Sequence, residues 1–168
     1  RDVFQNISLP VSPCDIEAVF ITHAHIDHSG MVPKLYKDGF KGTVYATDVT
    51  CDLCNIMLRD SAHIQELEAE WRSRKSLRAG GEPVEPVYNT QDAMGAIGLF
   101  RRCNYGDIIQ AGEGVTLRFT DIGHLLGSAC IEIWLSEGNI SKKIVFSGDV
   151  GNTGQRIICD PKTVEETD

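Results

Sequence analysis

The stretch Glu17-Ala18-Val19-Phe20-Ile21-Thr22-His23-Ala24-His25-Ile26-Asp27-His28 decides how the rest of the chain is read. Its first six residues are a β-prone, apolar run bounded by polar sequence, which suits a buried strand. Its last six carry four potential metal ligands. Alternate residues of extended backbone point to the same side. His23, His25 and Asp27 therefore project together from the end of one strand, and His28 follows as the turn tightens. Imidazole nitrogen and carboxylate oxygen suit zinc and similar divalent ions. The bland alternative is a histidine-rich surface loop. Against it, three of the five histidines in the chain lie here with an aspartate among them. A strand running into a loop is also what a rigid ligand platform requires.

Two later segments can complete such a site. In Thr120-Asp121-Ile122-Gly123-His124-Leu125-Leu126-Gly127-Ser128, His124 leaves the end of a β-rich run, and Gly123 lets the backbone pass close by. In Phe146-Ser147-Gly148-Asp149-Val150-Gly151, Asp149 follows another strand and is flanked by glycines. Alone, each would be an ordinary strand-end residue. Beside a cluster that needs more ligands, His124 reads as a third imidazole and Asp149 as a carboxylate able to bridge two metals.

Working outward, Ser29 caps a short helix through about Tyr36, ended by Asp38-Gly39, and Thr43–Ala46 reads as a strand. Leu53, Ile56, Met57, Ile64, Leu67 and Trp71 recur at helical spacing. They predict a helix from about Val49 to Ser76 with Trp71 in the core, broken by Gly80-Gly81-Glu82-Pro83. A loop over 79–90 and a helix from Gln91 to Arg102 follow. Strands are expected at Asp107–Gln110, Val115–Thr120, Ala129–Leu135 and Lys143–Ser147, with hairpin turns at Gly112-Glu113-Gly114 and Glu137-Gly138-Asn139. The order implies a layered α/β protein with helices packed on sheets.

The composition agrees. Over 168 residues, 42% hydrophobic and 24% charged content describe a globular chain with a sizeable core. No apolar run approaches the ~18–20 residues that span a bilayer. A net charge of −8 disfavours loose, whole-surface attraction to nucleic acid. It leaves open an enzyme that holds phosphates through bound metals. Cys51-Asp52-Leu53-Cys54 has no second ligand pair at structural-zinc spacing, so its thiols read as reduced and packed. With no secretory signal, that suggests the cytoplasm.

Together, His23-Ala24-His25-Ile26-Asp27-His28, the later His124 and the later Asp149 resemble the metallo-β-lactamase superfamily, whose motifs occur in this order. The Gly-His-Leu-Leu-Gly-Ser-Ala and Phe-Ser-Gly-Asp-Val-Gly stretches, and Asp60-Ser61-Ala62-His63-Ile64-Gln65, resemble its β-CASP branch of RNA-processing nucleases. The resemblance implies an incomplete αββα sandwich, with the N-terminal strands and the β-CASP domain absent. Residues 1–168 would be one partial metallo-β-lactamase domain, a fragment of an enzyme roughly two- to three-fold longer. It implies that His23, His25 and His124 hold one zinc ion, that Asp27 and His28 hold a second, and that Asp149 bridges both. Asp27 is also implied as a catalytic residue that orients the attacking water. The partners implied are RNA, or single-stranded DNA, as substrate and a second copy in a homodimer, with no membrane. The activity implied is metal-dependent hydrolysis of phosphodiester bonds. Two other readings stand beside it: a small-molecule hydrolase of the same fold acting on a thioester, lactone or β-lactam, and a non-catalytic RNA-processing subunit.

Three other features carry less weight. His63 reads as a packed or half-exposed helix residue. Asp121 is a candidate partner for the His124 ring. Arg72, Arg74 and Arg101-Arg102 read as solvated rather than phosphate-binding.

Overall fold

Three short parallel strands, β1 (Ala18–Phe20), β2 (Thr43–Thr47) and β3 (Phe100–Cys103), form the first sheet in that spatial order. The computed structural model describes residues 11–164 and residue 167. Parallel neighbours need long crossovers. Helices α1 (Ile26–Ser29) and α2 (Val32–Lys37) supply the first, and α3 (Asp48–Arg78) and α4 (Thr90–Ile97) the second. The second sheet is an antiparallel meander of β4 (Ile109–Gly112), β5 (Val115–Asp121), β6 (Ala129–Glu137) and β7 (Ile140–Phe146). Its two tight turns fall where the sequence places them, with Gly114 and Gly138 at positive φ.

The sheets pack face to face. Tyr45 and Phe20 of the first sheet meet Leu117, Phe119, Ile131 and Ile133 of the second. The other face of the first sheet packs through Val44 and Ala46 on Val32, Phe40 and Ala96. The layers are therefore helix, sheet, sheet. On the outer face of the second sheet, Glu132 is completely buried. Burial alone would push its carboxyl up. Hydrogen bonds from Arg118 (2.7 and 2.9 Å), Lys143 (2.8 Å) and Thr120 (2.7 Å) outweigh that and hold it down at about 2. Arg118 and Lys143 also both lie against the Trp134 ring.

Two expectations are corrected. The helix expected over Gln91–Arg102 ends at Ile97, and Phe100–Cys103 is strand β3. Asn89 and Asp92 start α4 with a capping box, and Gly98 caps its end. The open edge of β2 then captures the next residues in register, Val44 against Phe100 through Thr47 against Cys103. Backbone groups left unpaired on a buried strand are costly, and that demand outweighs the weak helical signal of residues 100–102.

The second correction concerns α3. Its extent matches the expectation, and Thr47 caps its start by accepting the Thr50 N–H. Its orientation about its own axis does not match. Ile56, Ile64, Leu67 and Trp71 are 68, 48, 51 and 59% exposed, so Trp71 is not core. The buried face is Thr50, Cys51, Cys54, Leu58, Ala62 and Ala69. These mostly small side chains let α3 lie close against Ala24, Tyr88 and Ala93. Close packing chose the smooth face of the helix over the bulky one.

Candidate metal centre

Three strand ends converge on one corner. β1 delivers His23, β5 delivers His124 and β7 delivers Asp149, each three residues past its last strand residue. β5 and β7 both run antiparallel to β6, so their C-terminal ends share one edge of the second sheet. The Ala129 N–H donates to the Thr22 carbonyl (2.8 Å) and joins that edge to the end of β1. The loops then pack backbone on backbone. The Gly151 N–H donates to the Ile122 carbonyl (3.0 Å). At Gly148, φ is +59°, and a Cβ would sit 2.8 Å from the Thr22 side chain. Only glycine lets Asp149 approach this closely.

His23, His25, His124 and Asp149 each offer one ligand atom, and these atoms all lie within 4.8 Å of one another. His23 Nε2 is 3.1 Å from His25 Nδ1, which is 3.3 Å from His124 Nε2. Asp149 Oδ2 is 3.5 Å from His124 Nε2 and 3.8 Å from His23 Nε2. Ligands about 2.0–2.1 Å from a tetrahedral zinc stand roughly 3.3–3.4 Å apart. The donor set therefore fits such an ion by chemistry, and four of its six spacings, 3.1–3.8 Å, lie near that value, with all of them within 4.8 Å. The other Asp149 oxygen, Oδ1, faces away from this group and lies 3.5 Å from His28 Nε2, which is 3.7 Å from Asp27 Oδ2. The six expected residues thus fall into a tight four-residue group and a looser flank of Asp27 and His28, with Asp149 turned toward both.

Electrostatics favours donors that keep their lone pairs. His23 is buried, and its pKa is pushed down to about 4, first by that burial and then by the His28, His25 and His124 rings; Asp149 only partly offsets this. His23 is therefore neutral at physiological pH. Its Nδ1 lies 3.1 Å from Thr22 Oγ1, which fixes the ring with Nε2 toward the cluster.

The His124 turn is held by residues that the sequence did not single out. Ser128 Oγ accepts the N–H groups of His124 (3.0 Å) and Leu125 (3.2 Å). Tyr105 Oη donates to the Ser128 carbonyl (2.8 Å). Thr47 and Thr50, at the start of α3, both donate to the Gly127 carbonyl (2.6 and 2.9 Å). Ser128, four residues after His124, was readable as a local side-chain-to-backbone turn signal. The two threonines and Tyr105 are distant in sequence and gave no signal. Asp121 accepts the Gly123 N–H (3.0 Å) and so shapes the turn. His63 is exposed on α3. Arg102 pairs with Asp48 and Asp52, and Arg72 with Glu68. Cys51 and Cys54 are free and buried, and burial raises both thiols, Cys51 to about 12 and Cys54 to about 11.

Comparison with known proteins agrees with this geometry. Residues 5–166 match the family model of the metallo-β-lactamase superfamily. The chain belongs to that superfamily. Among curated proteins, the chain is similar to Ribonuclease TTHA0252 of Thermus thermophilus, at 34% identity over 149 residues, which is 89% of this chain and 29% of that protein. It is similar to transcription termination factor FttA of Thermococcus kodakarensis at 31% identity, covering 80% of this chain and 18% of that one. The chain thus spans less than a third of either relative's length. Among solved structures, a B3 metallo-β-lactamase with an active-site glutamic acid matches at 21% identity and a TM-score of 0.49, over 82% of this chain and 43% of that one. Among the described residues, no helix is long and apolar enough to cross a membrane.

Proposed function

We propose that this chain carries the metal-binding core of a β-CASP-type ribonuclease that hydrolyses phosphodiester bonds at a two-zinc site, as one part of a metallo-β-lactamase domain. The observation that carries the reading is the placement of Asp149. One carboxylate oxygen gathers with three imidazoles within 4.8 Å, and the other faces His28, which in turn neighbours Asp27. His23, His25 and His124 would hold one zinc ion, Asp27 and His28 the second, and Asp149 both. When bound, such a pair activates a water as nucleophile and offsets the charge gathering on the phosphoryl oxygens.

The chain's own residues prepare that chemistry. Burial keeps His23 neutral and Thr22 fixes its ring, so the first site needs little reorganisation. The clasp of Thr47, Thr50, Ser128 and Tyr105 holds His124 at a set distance from His25. The Asp27 side chain is 79% exposed, at the open side of the cluster, where it can orient the attacking water toward an arriving phosphodiester. RNA as substrate rests on the similarity to a ribonuclease and a transcription termination factor. With a net charge of −8, recognition would centre on the metals rather than on a basic surface. The buried, unpaired thiols of Cys51 and Cys54 suit the reducing cytoplasm.

The test is cleavage of a single-stranded RNA labelled at one end, by zinc-loaded protein and by His23→Ala and Asp149→Ala variants. Metal-dependent cleavage by the parent that both variants lose is the expected result. Cleavage at the parent rate by both variants, or intact RNA beside zinc-dependent hydrolysis of a β-lactam or thioester, overturns the reading.

A further inference from the structure

The C-terminal half of α3 is the largest feature that the proposed chemistry leaves unused. Its bulky apolar residues, Ile64, Leu67 and Trp71, lie on the side away from the core. The returning chain packs on the opposite side, where Ser73 Oγ donates to the Val84 carbonyl (3.0 Å) and accepts the Val84 N–H (2.8 Å). An α-helix has 3.6 residues per turn. Leu67 and Trp71 therefore form a seam, with Glu68, Arg72 and Lys75 along one flank and Glu70 and Arg74 along the other. Charge changes sign at Trp71: Glu66, Glu68 and Glu70 precede it, and Arg72, Arg74 and Lys75 follow it.

That order distinguishes the ways in which two such helices can meet. When two helices pack antiparallel, each flank meets the same flank of the other. A two-fold axis near Trp71 then sets Glu68 opposite the second copy's Lys75 and Glu70 opposite the second copy's Arg74. Symmetry makes each pair twice. The two Trp71 rings and the two Leu67 side chains close the seam between them. When two helices pack parallel and in register, each flank meets the opposite one. Glu68 would then face Glu70, and Lys75 would face Arg74, so like charge meets like.

We infer that this segment of α3 is a self-complementary surface on which a second copy of the chain docks antiparallel, through the Leu67–Trp71 seam. Within one chain Glu66 is taken up by Thr90, whose N–H and hydroxyl both donate to its carboxylate (2.9 Å each), but the charges beside the seam have only weak local partners. Arg72 is 3.4 Å from Glu68, and Lys75 Nζ lies 5.6 Å from the Trp71 ring, all on exposed side chains that are free to re-pair. The contact lies on α3 outside the strand-end loops and uses none of their residues.

Sedimentation equilibrium of the zinc-free protein over about 1–300 µM tests this. The parent is expected to show a concentration-dependent dimer. Glu68→Lys with Glu70→Lys makes both flanks wholly positive, and Arg74→Glu with Lys75→Glu leaves Arg72 as the one positive charge on either flank. Each double variant should weaken association by about 10-fold or more. An equimolar mixture of the two should form the mixed dimer. All four positions are exposed, so circular dichroism should report an unchanged fold. A parent that stays monomeric throughout overturns the inference. So do charge variants that associate like the parent, and so does a mixture that stays monomeric.

Discussion

The corner where β1, β5 and β7 end and the far half of helix α3 solve opposite problems. At the corner, polar groups point toward one another. Four ligand atoms crowd within 4.8 Å, with His23 fully buried, and the close approaches of Gly148 to Thr22 and of Gly151 to the Gly123 backbone bring the loops together. On α3, small side chains point inward and the bulky apolar ones outward. The corner is built so that donors meet at fixed distances. The helix is built so that its smooth side lies flat on its neighbours, which leaves a sticky side for something else. At the corner burial fixes one candidate ligand, His23, while His25 and Asp149 stay exposed; on α3 it marks the purely structural face.

Substitutions that separate the two regions are the way to break this contrast. The largest effect is expected at the corner: Asp149→Ala in zinc-loaded protein should lower RNA hydrolysis on the order of 10³-fold without changing the sedimentation behaviour. A steady-state cleavage assay reads this. Next comes the inner face of α3. Leu58→Ala removes a completely buried side chain and should cost about 2–5 kcal/mol in urea unfolding. Trp71→Ala, despite deleting far more apolar surface, should stay within about 0.5 kcal/mol at concentrations where the protein is monomeric. If Trp71→Ala costs more than Leu58→Ala, the helix faces are assigned the wrong way round.

A third substitution joins the regions. Thr47→Val combined with Thr50→Val removes both donors to the Gly127 carbonyl while keeping side-chain volume. Zinc affinity is expected to fall about 10–100-fold in a chelator competition. An unchanged affinity would mean that the start of α3 does not position His124. The smallest effect concerns protonation. In the metal-free protein His23 titrates at about 4 instead of 6.5. As pH falls through that window, the unfolded chain takes up this proton before the folded one does, so stability declines. A His23→Asn variant should show a shallower decline in denaturant unfolding between those two pH values.

Much of the corner was legible in the sequence because its signals are local. A β-prone run, a dense ligand cluster and two glycine-flanked strand ends each announce themselves within about ten residues. The hairpins at Gly114 and Gly138 were legible for the same reason. What escaped was decided by contacts between distant segments. The edge of β2 turned Phe100–Cys103 from helix into strand. The requirement for close approach to Ala24, Tyr88 and Ala93 turned α3 about its axis, although the periodicity that defined the helix was read correctly. Period fixes which residues share a face, but only tertiary packing decides which face goes inward. Tyr105, Thr47 and Thr50 were invisible because their importance lies in two carbonyls, Gly127 and Ser128, that fold up against them.

The most direct test of the central claim is metal content. The protein is stripped with chelator, back-titrated with zinc and assayed by elemental analysis beside His23→Ala and His124→Ala. Tightly bound zinc in the parent, lost from both variants while their circular dichroism stays unchanged, is the result that these strand-end loops require. A parent that retains no divalent metal, or variants that retain as much as the parent, would contradict it.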